Sequence, residues 1–102
     1  MRMWMVPPRR MCRKHLLGEH VEIHMAVASL RLGKSLNGFL EKGLLELGSL
    51  RSRHDELVVE MLRRGYRHNS PLGPVPRRKG GKVDRPANAR ELARRCQDCF
   101  RA

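Results

Sequence analysis

Aromatic side chains and long apolar runs are both scarce in this sequence. Its 102 residues include one Trp, one Tyr and two Phe, too few for a protein that binds single-stranded nucleic acid by stacking bases on aromatic rings. No segment approaches the roughly 20 apolar residues needed to span a bilayer. The start, residues 1–8, has an apolar run too short for a signal peptide and no small-residue cleavage site. We therefore expect a cytoplasmic protein without membrane contact.

Negative charge is scarce as well. Lys and Arg number 22 against 10 Asp and Glu, which gives a net charge of +12, and such a charge repels itself unless a polyanion neutralises it. Nucleic acid is the expected polyanion; an acidic membrane surface is the rival, and a merely solvated basic surface is the alternative to both. We expect a monomer that binds double-stranded DNA through phosphate contacts that carry no sequence information. The predicted phosphate-binding residues are Arg9, Arg10, Arg13, Lys14, Arg77, Arg78, Lys79 and Lys82.

The length allows one domain with one modest core. Within the sequence, the apolar residues recur mostly at helical intervals. Apolar residues recur at helical intervals from about residue 11 to 31, and Gly33 follows as a stop signal. A second helix is predicted from Leu47 to about Arg64, with one continuous apolar face. Residues 34–42 are predicted to connect the two, with a turn at Asn37-Gly38 and with Phe39 and Leu40 packed inward.

The C-terminal third changes in composition. Residues 69–86 are rich in Pro, Gly, Arg and Lys, so they predict an extended basic arm that adds nothing to the core and is solvated or lies on a phosphate backbone. Helical character returns from Asn88 to Phe100. The sequence thus predicts an all-α, compact single domain over residues 1–102, with about three helices and a basic arm before the last one.

Cysteine is rare, and its spacing is informative. Three cysteines in a cytoplasmic chain argue against a disulfide framework. Cys12-x-x-His15 and Cys96-x-x-Cys99 are two ligand pairs of the kind that form tetrahedral zinc sites. Together they predict a structural zinc that ties the first helix to the last, although simple burial of the cysteines would also explain them.

The first predicted helix carries further candidates. His15, Glu19 and Glu22 fall at i, i+4 and i+7 and so share one face. They are candidates for proton transfer or metal binding, or for salt bridges to the many arginines. His20 and His24 are spaced as a ligand pair, but two histidines without a third ligand favour the interpretation as surface residues.

Several stretches resemble the pyrimidine-dimer DNA glycosylase/AP-lyase family of phages and microbes. The matching residues are 1–4 (Met-Arg-Met-Trp), 15–22, 53–57 and 61–66, in the same order and at similar spacing over roughly the first 70 residues. The resemblance implies a compact all-helical fold and a DNA N-glycosylase with lyase activity. It also implies a cytoplasmic location in a bacterium or a phage-infected bacterial cell.

The resemblance also assigns roles. The nucleophile of the family is the α-amino group of the first residue, which corresponds to Met1, and a carboxylate on the first long helix assists it, which corresponds to Glu22. Initiator methionine is normally removed only before a small residue, so we expect Met1 to be retained before Arg2. Arg2 is expected to hold an adjacent phosphate, His15 is a further catalytic candidate, and no catalytic cofactor is implied.

The chain departs from the family at specific positions. Val21 and Met25 stand where family arginines surround the catalytic carboxylate, and the C-terminal tail lacks the family's aromatic residues. Two alternatives therefore stay open. One is a non-catalytic basic DNA-binding protein stapled by zinc; the other is a metal-dependent nuclease that uses His15, Glu19, Glu22 and one of His20 and His24.

Overall fold

The longest helix, α1 (Arg13–Arg31), confirms the first predicted helix in a computed structural model that describes residues 1–101. It begins two residues later than expected because Cys12 is extended and caps the helix, its Sγ accepting the N–H of His15. Gly33 follows the last turn with φ of 71°, a conformation that glycine adopts without strain. The described chain is all-helical, as predicted.

The second predicted helix is α3 (Leu50–Arg63), which packs against α1. Its first predicted turn is a separate 3₁₀ turn, Leu47–Ser49, because Ser49 leaves helical geometry with φ of −110°. The buried residues of α3 include Leu50, Leu57 and Met61 of the predicted apolar face, and also an arginine and a glutamate. Charged groups are therefore part of the α1–α3 interface. Two other residues predicted on that face differ, because Val58 is only half-buried and Leu62 is exposed.

The connector contains a short helix that the sequence did not predict, α2 (Asn37–Glu41). Asn37-Gly38 opens this helix and does not form a free turn. The backbone N–H groups of Phe39 and Leu40 both bond to the carbonyl of Leu36, and the two side chains pack against the core. Their inward packing was predicted, and it stabilises a helix too short to form alone.

No helix or strand forms between residues 66 and 84. The prediction that this region adds nothing to the core is wrong in detail, because Leu72 and Val83 are buried. The guanidinium of Arg31 donates to the carbonyl oxygens of Leu72 and Pro74 at 2.5–2.9 Å. The region is thus held against the domain at its two ends, with exposed basic residues between them.

The last helix, α4 (Arg85–Arg95), begins and ends earlier than predicted. Asp84 caps it by accepting the N–H of Ala87 at 3.0 Å, and Pro86 occupies its first turn, a common arrangement at helix starts. The helix therefore takes over the last two residues of the predicted arm. It ends before Cys96, whose backbone is extended with φ of −125°.

The core lies between α1, α3 and an extended N-terminal segment. Met3, Trp4, Met5 and Val6 are all buried, and Met3 N–H bonds to the carbonyl of Leu44 at 2.7 Å. None of the helices within residues 1–101 is both long and apolar enough to cross a membrane.

Candidate catalytic groove and metal-binding clusters

The N-terminal segment is anchored by Asn88 of α4. The side-chain amide of Asn88 donates to the carbonyl oxygens of Met3 and Trp4 at 3.2 and 3.0 Å. Its oxygen accepts from Arg2 Nη2 at 2.8 Å. Because residues 3–6 are buried, these bonds fix the direction in which the first two residues leave the core. Met1 and Arg2 are half-buried as a result.

Glu22 lies in a shallow groove beside this segment. The groove has a volume of about 480 Å³ and is lined by Trp4, His15, Gly18, Val21 and Glu22, among others. Burial raises the pKa of the Glu22 carboxyl, an effect that the terminal ammonium of Met1 opposes. An opposing electrostatic effect of this kind requires the two groups to lie near each other. The terminal amine and the carboxylate that the resemblance pairs therefore lie close enough to interact electrostatically.

Arg2 stands next to the same groove. Its guanidinium carbon lies 3.8 Å from the centroid of the Trp4 ring, a cation–π geometry. Burial lowers the pKa of Arg2, with repulsion from Arg95 as a second cause. The stacked and hydrogen-bonded side chain holds a positive charge at the edge of the groove.

Glu19 shares a helix face with Glu22 but has a different environment. It is fully buried and binds Arg53 of α3 through two contacts, Nε to Oε2 at 2.6 Å and Nη2 to Oε1 at 2.9 Å. Arg53 also donates to the carbonyl of Val6 at 2.8 Å. The salt-bridge interpretation is confirmed for Glu19, which is not free to bind a metal together with Glu22. The nuclease alternative loses one of its ligands.

The two predicted zinc-ligand pairs meet in space. Cys12, His15, Cys96 and Cys99 each offer one ligand atom, and these four atoms lie within 4.8 Å of one another. We call this group the sulfur cluster. It joins the start of α1 to the segment after α4, although the two halves are more than 80 residues apart in sequence.

Distances in the sulfur cluster match those of a tetrahedral metal site. Cys12 Sγ lies 3.9 Å from Cys96 Sγ and 3.2 Å from His15 Nδ1, and Cys99 Sγ lies 3.6 Å from the same nitrogen. Zinc bonds of standard length place tetrahedral ligands about 3.8 Å apart for two sulfurs and about 3.5 Å apart for sulfur and nitrogen. The N–H groups of Cys12 and His15 point at cluster sulfurs at 3.3 and 3.4 Å.

The electrostatics of the sulfur cluster also favour a cation. Burial raises the pKa of the Cys99 thiol to about 12, with Cys12 and Cys96 as further causes. Burial likewise opposes ionisation of Cys96, but the N–H groups of Asp98 and Cys99 outweigh it and lower the pKa of Cys96. A bound metal ion would stabilise all the thiolates at once. The residues therefore fit a structural zinc.

His15 belongs to both predicted sites, and its geometry favours one of them. Its Nδ1 faces Cys12 and Cys99, while its ring meets Trp4 edge-on at 6.1 Å between centroids. A nitrogen that binds a metal cannot also accept a proton. The arrangement thus favours His15 as a ligand at the edge of the groove over His15 as a free catalytic base.

The interpretation of His20 and His24 as surface residues is wrong. His20 is buried and His24 is half-buried, and both rings lie against His54 at about 5 Å between centroids. His68 completes a group of four. The first two were visible as a spaced pair, but the other two come from distant parts of the chain and carry no spacing signal.

All eight predicted phosphate-binding residues are exposed. None of them forms an ion pair with a described residue. Elsewhere on the surface, arginines pair with acids, as Arg94 and Arg95 do with Glu91. The eight residues are Arg9, Arg10, Arg13, Lys14, Arg77, Arg78, Lys79 and Lys82. Their charges remain available to an external polyanion.

Two positioning residues were not found from the sequence. Arg53 sits in a predicted helix where an exposed cation is the usual expectation, and only its bond to Glu19, 34 positions away, explains its burial. Asn88 opens a predicted helix and was not singled out, yet it holds the N-terminal segment. In both cases the partner is distant in sequence, so no local pattern reveals the role.

Comparison with known proteins identifies a family. A family model described as pyrimidine dimer DNA glycosylase matches residues 1–73. No curated protein and no solved structure matches the chain significantly. The matched range includes Met1, Glu22 and the four clustered histidines, and it ends before the basic run at 77–79 and before Cys96 and Cys99.

Proposed function

Since the chain belongs to the pyrimidine dimer DNA glycosylase family, we propose that it is a DNA N-glycosylase with AP-lyase activity, and that the α-amino group of Met1 is the nucleophile. The observation that carries the proposal is the groove that holds the Glu22 carboxylate, together with the electrostatic effect of the Met1 terminal ammonium on the pKa of that carboxyl. Damaged or modified DNA is the proposed substrate class.

The reaction needs a nucleophilic amine at neutral pH. An α-amino group is about two pK units less basic than a lysine side chain, so a useful fraction is unprotonated. Attack of this amine on C1′ of the deoxyribose forms a C–N bond and breaks the glycosidic bond, and the base leaves. The amine loses its proton, the sugar ring opens, and an imine links Met1 to C1′.

Strand cleavage follows from the imine. Removal of a proton from C2′ sends electrons into the imine and expels the 3′ phosphate oxygen, which breaks the strand by β-elimination. Water then hydrolyses the imine and releases the enzyme. No redox cofactor or metal is required at any of these steps.

Glu22 is proposed to act twice in this sequence. Its carboxylate stabilises the positive charge that develops on the sugar when the base leaves, and it then accepts the C2′ proton. A raised pKa suits the second role, since a more basic carboxylate is a better proton acceptor. Glu22 makes no side-chain hydrogen bond within residues 1–101, which leaves both oxygens free for substrate.

Arg2 and the exposed cations are proposed to bind the DNA backbone. Arg2 is held by Asn88 and Trp4 next to the groove, where it would contact the phosphate beside the reacting sugar. The unpaired cations of 9–14 and 77–82 would contact phosphates farther away. Arginines are absent at Val21 and Met25, both more than half exposed. Either the basic residues of 77–82 take over those phosphate contacts, or the substrate is a lesion other than the family's ultraviolet photoproduct, or activity has been lost.

A zinc-stapled DNA-binding protein without catalysis is the competing proposal. The sulfur cluster supports a zinc ion but does not distinguish the two proposals, because a structural zinc is compatible with catalysis. What favours the enzyme is the electrostatic interaction between the terminal amine and Glu22, a carboxylate that lines the groove.

Borohydride trapping on abasic-site duplex DNA tests the proposal. Borohydride reduces an imine to a stable amine, so the protein should become covalently attached to DNA, and peptide mapping should locate the adduct on the peptide that begins with Met1. Selective acetylation of the α-amino group should abolish both adduct and cleavage. The matched control is a protein acetylated on lysines alone and assayed at low salt with DNA in excess, so that the lost phosphate contacts do not limit binding. It should retain both.

Two results would contradict the proposal. An adduct on a lysine peptide would move the nucleophile away from Met1. No adduct and no cleavage on abasic or damaged duplexes, with DNA binding intact, would favour the non-catalytic binding protein.

A further inference from the structure

Four of the five histidines meet on the side of α1 that faces away from Glu22. His20 and His24 come from α1, His54 from the first half of α3, and His68 from the segment after α3. One ring nitrogen of each lies within 4.8 Å of the others. At 100° per residue, the two α1 histidines lie about 160° around the helix from Glu22. We call this group the histidine cluster, and it is separate from the groove.

The histidine cluster contains four unpaired nitrogen atoms. The Nε2 atoms of His20, His24, His54 and His68 are all buried, and none has a hydrogen-bond partner among residues 1–101. Buried polar atoms are nearly always paired, because burial without a partner sacrifices their bonds to water. A single cation that accepts four lone pairs would satisfy all of them together.

The arrangement of the rings matches a tetrahedral site. Five of the six centroid separations within the cluster, all but that between His24 and His68, range from 4.7 to 5.3 Å. Four imidazoles bound at standard zinc–nitrogen distances have centroids about 3.2 Å from the metal and therefore about 5.2 Å from one another. The rings are thus spaced as four ligands of one ion and are too tilted for a stack of aromatic rings.

An outer contact orients one ligand. His54 Nδ1 lies 2.9 Å from Asp55 Oδ1. A carboxylate that accepts the Nδ1 proton leaves Nε2 with its lone pair, and it commonly supports metal-bound histidines. The Nε2 of His54 is the orphaned atom that faces the cluster.

The charge state of the cluster is also suitable. Burial lowers the pKa of His20 to about 4, with His24, His54 and His68 as further causes. Burial lowers the pKa of His24 as well. Neutral imidazoles are the form that binds metals, and they do not repel one another.

We propose that the histidine cluster binds a divalent transition-metal ion through its four Nε2 atoms, and that zinc fits the site best. Imidazole ligands suit zinc, copper and nickel, and tetrahedral geometry favours zinc among these. Four protein ligands leave no open position, which is typical of structural sites. The ion would tie α1 to α3 and to the start of the basic segment at His68. This site is independent of the proposed glycosylase activity.

Cobalt titration of the full chain tests the proposal, because the two clusters differ in ligand chemistry. The metal-free, reduced protein should bind two Co²⁺ ions per chain. One, at the sulfur cluster, gives intense sulfur-to-cobalt charge transfer in the near ultraviolet. The other gives only the visible bands of a tetrahedral nitrogen site. His68→Asn should remove the second signal and keep the first.

Matched variants keep the test decisive. His68 lies outside the helices, so its replacement need not disturb the fold, and Asn69→Ala changes the exposed neighbour and should retain both signals. Zinc content gives a second readout that needs no metal-free protein. Cys96→Ser should retain one zinc per chain, and Cys96→Ser with His68→Asn should retain none.

Several outcomes would overturn the proposal. One is a wild-type protein that shows only the sulfur-bound cobalt. Another is a nitrogen-site signal that survives both His68→Asn and His24→Asn. A folded Cys96→Ser variant that contains no metal would mean that water fills the histidine cluster.

Discussion

The groove beside Glu22 and the α1–α3 interface use the same residue types for different purposes. In the interface, Glu19 and Arg53 are both buried and bind each other through two contacts. In the groove, Glu22 is half-buried, makes no side-chain hydrogen bond within the described chain, and has a raised pKa. Glu19 and Glu22 lie only one helical turn apart.

The difference shows that a carboxylate on α1 is free to contact substrate only if no arginine of the protein already binds its oxygens. A carboxylate whose two oxygens are both bonded to a buried arginine, as in Glu19, is not free to contact substrate. A carboxylate that is partly desolvated next to an ammonium retains reactivity and a free oxygen. We therefore expect substitutions in the groove to change turnover, and substitutions at packed or metal-binding positions to change stability.

The largest effect on stability is expected at the sulfur cluster, which adjoins the groove through His15. His15 lines the groove but faces the sulfur cluster, and structural zinc sites contribute about 10–16 kcal/mol of binding free energy. Cys96→Ser should remove one zinc ion per chain and markedly lower the melting temperature, because the C-terminal segment loses its link to α1. Metal analysis and thermal unfolding under reducing conditions measure both effects.

The control for that substitution is Gln97→Ser, which alters the exposed neighbour. It should leave zinc content and melting temperature unchanged. If Cys96→Ser behaved like this control, the sulfur cluster would be three thiols and one histidine packed together without a metal.

The second effect concerns Glu22 itself. Glu22→Gln removes the charge and the proton acceptor, so turnover should fall by about 10²–10⁴-fold, the usual contribution of general acid–base catalysis. DNA binding should persist. Because the pKa of Glu22 is raised in the folded state, its ionisation opposes folding as pH rises above the unfolded value. The variant should therefore be no less stable than the wild type at neutral pH.

Glu41→Gln is the matched control, since Glu41 is exposed on α2. Single-turnover cleavage of abasic-site duplex and thermal unfolding distinguish the two variants. Loss of stability without loss of cleavage in Glu22→Gln would mean that Glu22, like Glu19, has a structural role and not a catalytic one.

The third effect tests the exposed cations. If about six phosphates are contacted, affinity should fall roughly a thousandfold between 50 and 200 mM salt. Replacing Arg77, Arg78 and Lys79 together by alanine should reduce the slope of log affinity against log salt by roughly one per lost contact. Fluorescence anisotropy of labelled duplex DNA at several salt concentrations measures this slope.

An arginine that is already paired provides the comparison. Arg94 binds both oxygens of Glu91 at 2.8 Å, so Arg94→Ala should leave the slope nearly unchanged. Equal slopes for the triple variant and the wild type would mean that the basic run of 77–79 does not contact DNA.

The sequence predicted the features that are local in the chain. The two long helices follow from apolar periodicity, and each half of the sulfur cluster shows ligand spacing within four residues. The family resemblance located Met1 and Glu22. Their proximity depends on how the N-terminal segment packs, and the anchoring bonds of Asn88 cross more than 80 residues.

The features that were missed depend on distant partners. His54 and His68 each occur singly, so nothing local marks them as ligands. Glu19 and Glu22 have the same spacing signal, and only the position of Arg53 separates their roles. The helix α2 has too few residues to be stable alone, so it is stabilised by its packing against the core, which no local sequence pattern reveals.

The smallest expected effect is a dependence of stability on pH that arises at a packed carboxylate. Glu60 is buried and binds Arg63 Nε at 2.8 Å and Arg64 Nε at 2.7 Å. These bonds, Arg63 first, lower the pKa of Glu60 to about 2 against the effect of burial. Arg64 also donates to the carbonyl of Met11 at 2.7 Å. Glu60 therefore helps to hold the segment that leads into α1.

The sign of this pH effect is opposite to that of Glu22. A carboxyl whose pKa is lowered on folding stabilises the protein above its unfolded pKa, near 4.5, and this stabilisation is lost as pH falls towards 2. Since Arg63 is more than half exposed, solvent screening limits the contribution to about 1–2 kcal/mol. Glu60→Gln should lower the free energy of unfolding by this amount at neutral pH, and its curve should converge with that of the wild type in acid. Denaturant unfolding across this range measures the convergence, with Glu41→Gln expected to remain parallel to the wild type. A constant difference at all pH values would mean that Glu60 acts through packing and not through its charge.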